Sequence, residues 1–245
     1  MVIDHVAEKI LSKDKQMKAL IIGATGATGK DLVNVMLRDP GYTEVVAFVR
    51  RPGGLRHTKY TEIITDFDKL EEVSDSIGGD VWFSCMGTTL KAAGTKERQW
   101  HIDHDIPLDF AGIARRNGVP KAVLLSAYGA SATGKVFYSR VKGALDDAIV
   151  KLGFESCVVF RPGFLLREKT DRPSEQLLAH GAQLAAQVAG RAPGLPRHAL
   201  AVLVQVVGER QQHALGVTDV RGMGWACARH AASLTRRTSR LPRSA

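Results

Sequence analysis

Residues 19–29 read ALIIGATGATG, and this stretch decides the fold. Its first four residues form a short apolar run that is typical of a strand buried in a parallel sheet. The glycines at 23, 26 and 29 lie between this run and a segment with apolar residues at helical spacing, residues 29–38. A glycine-rich turn in that context predicts a pyrophosphate site, because free N–H groups at a helix N-terminus bind phosphates. We assign the site to Gly23, Thr25, Gly26, Ala27, Thr28 and Gly29.

Short apolar segments alternate with helical segments in the residues that follow. We expect strands at 45–49, 62–65, 81–85, 122–126 and 157–160, and helices at 70–77, about 96–117 and 136–152. This alternation predicts an α/β fold, a Rossmann doubly wound parallel sheet with helices on both faces. Right-handed crossovers bring the carboxyl ends of parallel strands to one edge. The residues that follow the strands should therefore form one ligand site.

Charge is distributed unevenly along the chain. Residues 190–245 contain nine arginines, no lysine and two acidic residues, so they carry +7 of the net charge of +9. We predict an N-terminal helical arm at 1–17, an NAD(P)-binding Rossmann domain at 18–189, and a divergent, partly disordered arginine-rich segment at 190–245. This last segment lacks a nucleic-acid motif and interleaved aromatic residues, so nucleic-acid binding is not expected.

The sequence also predicts a cellular compartment and the absence of a metal. Three cysteines without paired spacing argue against a disulfide framework and a zinc site. We expect a cytoplasmic protein, because the chain has no long apolar run for a membrane span and three acidic residues near its N-terminus disfavour a mitochondrial presequence. His101 and His104 could bind a metal, but no further ligands lie nearby in sequence, and a solvated helix face is the preferred interpretation.

The ends of the second and third strands bear on the choice of cofactor. An NAD enzyme usually ends its second strand with Asp or Glu, which accepts from the ribose 2′-hydroxyl. Arg50 and Arg51 stand there instead and could bind a 2′-phosphate, so NADP(H) is preferred; NAD(H) remains if both arginines merely form a solvated edge. Asp66 and Phe67 are placed to contact the adenine, and a helix N-cap is the alternative role of Asp66.

A candidate catalytic group follows the fifth strand. Tyr138 and Lys142 lie four residues apart on a predicted helix and share one face. A free phenol titrates near pH 10, and a neighbouring ammonium stabilises the phenolate, so Tyr138 could exchange a proton with a carbonyl or alcohol. Lys142 would also bind the nicotinamide ribose, and Ser126 would hold the substrate oxygen. The alternative is an exposed helix face with a solvated Lys142. Arg161 either faces the substrate or pairs with a carboxylate.

Six collinear motifs carry a resemblance that covers about residues 18 to 175. They are GATGATG at 23–29, VRR at 49–51, CMGTT at 85–89, LSA at 125–127, FYSRVKG at 137–143 and VFRPG at 159–163. With them the chain resembles the atypical short-chain dehydrogenases of the Tat-interacting protein 30 family, also called the CC3 oxidoreductase family. The resemblance implies a Rossmann fold, NADP(H) binding, and the roles given above for Ser126, Tyr138 and Lys142. It also implies that the cofactor contacts Tyr138 and Lys142 and is bordered by Gly87, Thr88, Thr89, Pro162 and Gly163.

Two departures from the family pattern leave two functions open. Classical members use an Asn on the fourth helix for a proton relay, and here Asp103 stands at that place. Residues after about 189 do not match the elements that close the family's substrate pocket. The first function is NADP(H)-dependent transfer of hydride to or from a small or lipid-like carbonyl or alcohol. The second is an NADPH-binding regulator or adaptor that docks on a protein partner without turnover.

Overall fold

The computed structural model describes residues 16–162 and 187–189. Most of the predicted N-terminal arm, the whole arginine-rich segment and Gly163 lie outside the described residues. Strand β1 begins at Met17, one residue before the predicted start of the Rossmann domain. The strands are β1 (Met17–Ile22), β2 (Tyr42–Val49), β3 (Tyr60–Ile64), β4 (Val81–Ser84), β5 (Lys121–Leu125), β6 (Ser156–Arg161) and β7 (Gln187–Ala189). The α-helices are α1 (Ala27–Arg38), α2 (Leu90–Ala93), α3 (Lys96–Trp100), α4 (Ile106–Arg116) and α5 (Phe137–Lys151).

The strands form one sheet in the order β3-β2-β1-β4-β5-β6-β7. The first six are parallel, and their order is that of doubly wound dinucleotide-binding folds. The predicted fold class is confirmed. Strand β7 runs antiparallel to β6, with Ala189 opposite Val159, and was not predicted, because three residues are too short to produce a periodic pattern.

Helices cover both faces of the sheet, as the alternation of side chains along β1 requires. Ala19 and Ile21 pack with Met36 of α1 on one face. Leu20 and Ile22 pack on the other face with α4 and α5, where Phe110 is fully buried. Successive strand side chains point to opposite faces, so an unbroken apolar strand requires a cover on each side. Each fully buried large apolar side chain stabilises the fold by about 1.5–3 kcal/mol.

The chain following β4 passes from α3 to α4 through one π-helical segment, His101–Asp105. The sequence predicts one uninterrupted α-helix there. Pro107, in the first turn of α4, has no N–H for the carbonyl of Asp103, so regular α-helical hydrogen bonding is interrupted at that carbonyl. Single π turns occur often at functional sites. This one carries the fully buried Asp103 towards the edge of the sheet.

Candidate functional site

The glycine turn after β1 is fixed by the close approach of the protein's own backbone. Gly23 has a φ of +78°, and a Cβ placed there would lie 2.5 Å from the carbonyl carbon of Cys85. A Cβ on Gly29 would overlap the carbonyl oxygen of Gly23. The Gly26 N–H donates to that same carbonyl at 3.0 Å. The first and third glycines are therefore required by the turn itself, before any ligand is considered.

Helix α1 presents an uncapped N-terminus at this turn. Gly26 is its N-cap residue, and within the described part of the chain no side chain caps the helix and no acidic residue lies in its first turn. The positive end of the helix dipole therefore meets no carboxylate of its own helix. Thr25 is exposed beside Gly26, whereas Thr28 and Gly29 are buried against the sheet. This arrangement fits the phosphates of a dinucleotide.

A cavity of about 630 Å³ lies at the carboxyl ends of β1 to β4. Predicted residues from four separate stretches of sequence meet on its walls, namely Gly23, Thr25, Gly26, Arg50, Asp66, Phe67, Gly87 and Thr88. Arg98 and Asp68 also line it and were not predicted. The cavity wall does not include Ala27, Thr28, Gly29, Arg51, Thr89, Ser126, Tyr138, Lys142 or Pro162.

The two arginines after β2 occupy different places. Both side chains are exposed, but only Arg50 lines the cavity. The loop that follows them is held by Glu62, whose carboxylate accepts from the Gly53 N–H at 2.9 Å and from the Tyr60 hydroxyl at 3.0 Å. An exposed guanidinium at the end of β2 is therefore accessible to an anionic group in the cavity.

Asp66 and Phe67 both line the cavity, as expected for residues that follow the carboxyl end of β3. The carboxylate of Asp66 accepts from the Asp68 N–H at 3.0 Å and so stabilises a turn. The alternative N-cap role is not realised, since Lys69 is the N-cap residue of the 3₁₀ helix Leu70–Ser76. Phe67 is buried and packs in the core beneath the cavity.

The loop after β4 is held by two buried charged side chains. The Lys142 ammonium donates to the Met86 carbonyl at 2.8 Å, and the Asp103 carboxylate accepts from the Thr88 N–H at 2.7 Å. These contacts fix Gly87 between them, at the cavity wall. Thr89 has a structural task instead, because its hydroxyl accepts from the Ala92 N–H and caps α2.

Lys142 is only 2% exposed, so the alternative of a solvated lysine is wrong. Burial of an ammonium is costly unless charges and hydrogen bonds compensate for it. Burial raises the pKa of Asp103, and the positive charge of Lys142 and the Thr88 N–H oppose that rise. The second oxygen of Asp103, Oδ2, is buried and accepts no hydrogen bond from the described residues. Lys142 therefore lies in a buried, partly compensated electrostatic environment at the edge of the cavity.

Tyr138 lies one helical turn before Lys142 at the start of α5. It is 40% exposed, and its hydroxyl has no hydrogen-bond partner among the described residues. Residues four apart on a helix share a face, so the phenol and the buried ammonium stand on the same side of α5. The phenol is thus open to solvent and to a ligand.

Ser126 does not stand free at the tip of β5. Its hydroxyl donates to Asp146 Oδ2 at 2.9 Å, and Arg161 Nε donates to the same oxygen at 2.9 Å. Asp146 is 2% exposed, and burial raises its pKa, while the Ser126 hydrogen bond and the Arg161 charge oppose the rise. Arg161 thus takes the second of its two expected roles, pairing with a carboxylate. Asp146 was not among the predicted site residues, although it continues the series Tyr138, Lys142 at the same spacing of four.

The loop between β5 and α5 is anchored at both ends. The Tyr128 N–H donates to the Pro162 carbonyl at 3.0 Å, which links the ends of β5 and β6. A Cβ on Gly143 would overlap the backbone of Ser131 and Ala132, so this glycine lets the loop lie directly on α5. The Pro162 backbone therefore lies beside the carboxyl end of β5.

The two partly exposed histidines each contact a solvent-exposed carboxylate. His101 Nε2 is 2.6 Å from Asp68, and His104 Nδ1 is 2.8 Å from Asp105. The ring of His104 packs 4.7 Å from that of Trp100. The described residues contain no group of three or more metal-binding side chains, and none of their helices is long and apolar enough to cross a bilayer.

Comparisons with known proteins agree with this geometry. The family model for the semialdehyde dehydrogenase NAD-binding domain matches residues 18–99. Protein FMP52 of Candida albicans is 35% identical over 160 residues, which cover 63% of this chain and 70% of the relative. Protein HTATIP2 of Rattus norvegicus is 34% identical over 170 residues, which cover 67% of this chain and 70% of the relative.

A solved structure shows the same fold. It is a short-chain dehydrogenase/reductase superfamily protein from Agrobacterium tumefaciens with bound NAD, with a TM-score of 0.50 and 19% identity. The match covers 58% of this chain and 48% of the other, so this chain spans about half the length of that protein. Together these likenesses indicate an NAD(P)-binding Rossmann fold of the short-chain dehydrogenase type.

The expected cytoplasmic location is wrong. FMP52 relatives from Candida albicans, Eremothecium gossypii and Saccharomyces cerevisiae are all named as mitochondrial proteins. The prediction rested on unpaired cysteines, the lack of a long apolar run and acidic residues near the N-terminus. Unpaired cysteines and a chain without a long apolar run are equally compatible with the interior of an organelle.

Proposed function

Because the chain belongs to the family of FMP52 and HTATIP2 (Tat-interacting protein 30), we propose that it is an NADP(H)-dependent oxidoreductase of a small or lipid-like carbonyl compound or the corresponding alcohol. The observation that carries the proposal is the contact between the buried Lys142 ammonium and the Met86 carbonyl at 2.8 Å. It brings the Tyr138–Lys142 face of α5 against the loop that forms the cavity wall. A helix face with two solvated side chains would have no such contact.

The residues of the cavity fit a dinucleotide. The turn at Gly23 and Gly26 and the uncapped start of α1 would bind the phosphates, with Asp66 and Phe67 beside the adenine. When bound, a nicotinamide cofactor supplies or accepts the hydride. Arg50 favours NADP(H), because it is an exposed cation on the cavity wall at the place where NAD enzymes have a carboxylate. Equal affinity for both cofactors would contradict this preference.

The proton is handled by the phenol of Tyr138. This hydroxyl would donate to a carbonyl oxygen during reduction or accept from an alcohol during oxidation. The ammonium of Lys142 stabilises negative charge on the neighbouring phenol and is held in place by Met86. Ser126 lies at the end of β5 and would contact the substrate oxygen.

A reductase assay with NADPH and a panel of aldehydes and ketones tests the proposal. Tyr138→Phe should reduce turnover by about 10²–10⁴-fold, because it removes only the proton donor. NADPH affinity, measured by fluorescence titration, should stay within about threefold of the wild-type value, since the phenol contributes no charge to the phosphate site. Tyr128→Phe is the matched control, because Tyr128 is also exposed and lies outside α5.

Tight NADPH binding without turnover of any panel compound would contradict the reductase and favour the regulator or adaptor. In that case Tyr138→Phe would change neither turnover nor NADPH affinity, and the next experiment would be a search for a protein that binds this chain.

The mitochondrial names of the FMP52 relatives support a mitochondrial location for this chain as well. Fractionation of cells that express the full chain with a C-terminal tag should recover it with mitochondrial markers, protected from added protease. Recovery in the soluble cytosolic fraction would contradict this location.

A further inference from the structure

Ser126, Asp146 and Arg161 form a network at the carboxyl ends of β5 and β6, in which Ser126 and Asp146 are buried and Arg161 is partly buried. The Ser126 hydroxyl and the Arg161 guanidinium both donate to one oxygen of Asp146, at 2.9 Å each. The other oxygen, Oδ1, is buried and accepts no hydrogen bond within the described residues. The three residues come from the end of β5, the end of β6 and the middle of α5, so the network joins two strands of the sheet to the helix that carries Tyr138 and Lys142.

This arrangement restricts what Ser126 can do. A serine hydroxyl has one proton, and an ionised carboxylate can only accept hydrogen bonds. While Asp146 is ionised, Ser126 must therefore donate to it, and this charge-assisted bond is about twice as strong as a neutral one. A substrate carbonyl also needs a donor, because it too can only accept. The carboxylate and the carbonyl thus compete for the same proton.

We propose that Asp146 is a positioning residue that decides whether Ser126 can donate a hydrogen bond to the substrate oxygen. An ionised Asp146 retains the Ser126 proton. A neutral Asp146, with its proton on the free Oδ1, no longer holds the hydroxyl by charge, and Ser126 becomes a donor to a carbonyl. The inference rests on the proposed function, because it assumes that the substrate oxygen of that reaction reaches Ser126.

The groups around Asp146 oppose one another in setting its charge. Arg161 from β6 and Lys142 from α5 itself favour the ionised form, as does the Ser126 hydroxyl. Burial favours the neutral form, and it is the largest influence on the pKa of Asp146, which lies above its usual range. Among the described residues Cys157 of β6 is a further titratable neighbour, and burial and Asp146 raise its pKa to about 11, so it is a neutral thiol at lower pH.

The test compares pH profiles of carbonyl reduction. For the most active panel compound with NADPH, kcat/KM of the wild type should fall towards the value of Ser126→Ala as rising pH ionises Asp146. Asp146→Asn removes the charge and keeps the shape, so its kcat/KM should not show this fall. At pH values where Asp146 of the wild type is ionised, the variant should exceed the wild-type value by about tenfold or more, as expected for regaining one oxyanion donor.

Asp147→Asn is the matched control, because Asp147 is the next residue on the same helix and is exposed. It should reproduce the wild-type profile. The double variant Ser126→Ala with Asp146→Asn should lose the gain of Asp146→Asn, since no hydroxyl is left to release. Identical profile shapes for Asp146→Asn and the wild type would overturn the inference while leaving the reductase assignment intact.

A second measurement needs neither enzymatic turnover nor the Asp146→Asn variant. Carbon-13 NMR of labelled aspartate carboxyls, with the buried resonance assigned by its response to Ser126→Ala, gives the titration of Asp146 in the free protein. Loss of the Ser126 hydrogen bond should raise the pKa of Asp146, because that bond stabilises the ionised form. An aspartate spectrum that titrates identically in wild type and Ser126→Ala would overturn the inference even if the panel gave no substrate.

Discussion

At the turn after β1 the site is built from backbone, whereas along α5 it is built from buried charged side chains. The turn depends on the positive φ of Gly23 and on the uncapped start of α1. The side of the site that faces α5 depends on Lys142, Asp103 and Asp146, each almost fully buried. The shape of the turn depends on how closely backbone atoms approach each other. The buried side chains depend on opposite charges and hydrogen bonds that compensate for the loss of hydration.

The difference has a consequence for what each region tolerates. A turn made of N–H groups and glycines keeps its charge pattern at any pH, but it cannot accept a side chain where two backbones touch. A cluster of buried ionisable groups can accept changes of shape, but it responds when one charge is removed. We therefore expect mutations in the turn to act on the free energy of unfolding through steric overlap, and mutations of the buried charges to change turnover and pKa values as well.

The largest effect is expected from Gly23→Ala. The new Cβ would lie 2.5 Å from the Cys85 backbone, and the residue would also keep an unfavourable φ of +78°. Overpacking and left-handed strain together should lower the free energy of unfolding by about 2–5 kcal/mol, measured by urea denaturation. Gly54→Ala is the matched control, since Gly54 has the same φ of +78° but open space around its Cα. If both variants lost the same stability, the close backbone approach at Gly23 would have no energetic role.

An intermediate effect is expected from Lys142→Met. The substitution keeps the length of the side chain and removes the donor to Met86, so the free energy of unfolding should fall by about 1–3 kcal/mol. Turnover should fall by about 10²-fold or more, because the charge beside Tyr138 is lost. The pKa values of Asp103 and Asp146 should both rise, since the Lys142 charge lowers them.

Lys151→Met, on the last turn of α5, is the control for this variant because Lys151 is exposed. It should leave stability, turnover and both carboxyl titrations unchanged. Lys142→Met with wild-type turnover would contradict the catalytic interpretation of the lysine.

The sequence predicted the glycine turn after β1 better than it predicted the contacts of the buried charged side chains along α5. Glycines between an apolar strand and an amphipathic helix are local signals, and so is the alternation of strands with helices, so the turn at Gly23 and Gly26 and the parallel direction of the strands could be inferred from neighbouring residues. The partner of Ser126 could not be inferred this way, because Asp146 lies 20 residues further along the chain and meets Ser126 only through the packing of α5 on the sheet. The spacing of four from Lys142 was visible, but an aspartate on a helix is usually solvated.

The location of Asp103 shows the same limit. Its correspondence to the family's relay position was seen in the sequence, but its contact with the Thr88 N–H depends on the π-helical segment. Nothing in the local pattern marks that segment except Pro107, which is equally compatible with the first turn of a new helix. Side-chain networks across separate elements thus need the tertiary structure.

The smallest effect is expected from Asp103→Asn, and it should depend on pH. Burial raises the pKa of Asp103 in the folded state above its ordinary value, so the folded protein binds this proton more tightly than the unfolded chain does. The cost of the buried charge is therefore fully present above the folded pKa and is relieved as pH falls from there towards the ordinary value. The amide of the variant carries no charge at any pH, so the stability difference between Asp103→Asn and the wild type should shift in favour of the variant as pH rises, by about 0.5–1 kcal/mol. Urea denaturation at several pH values measures this shift, with the exposed Asp75→Asn as the control whose difference from the wild type stays constant.

A constant difference for Asp103→Asn as well would show that the carboxylate is fully compensated by Lys142 and Thr88, and the two regions of the site would then differ less than proposed.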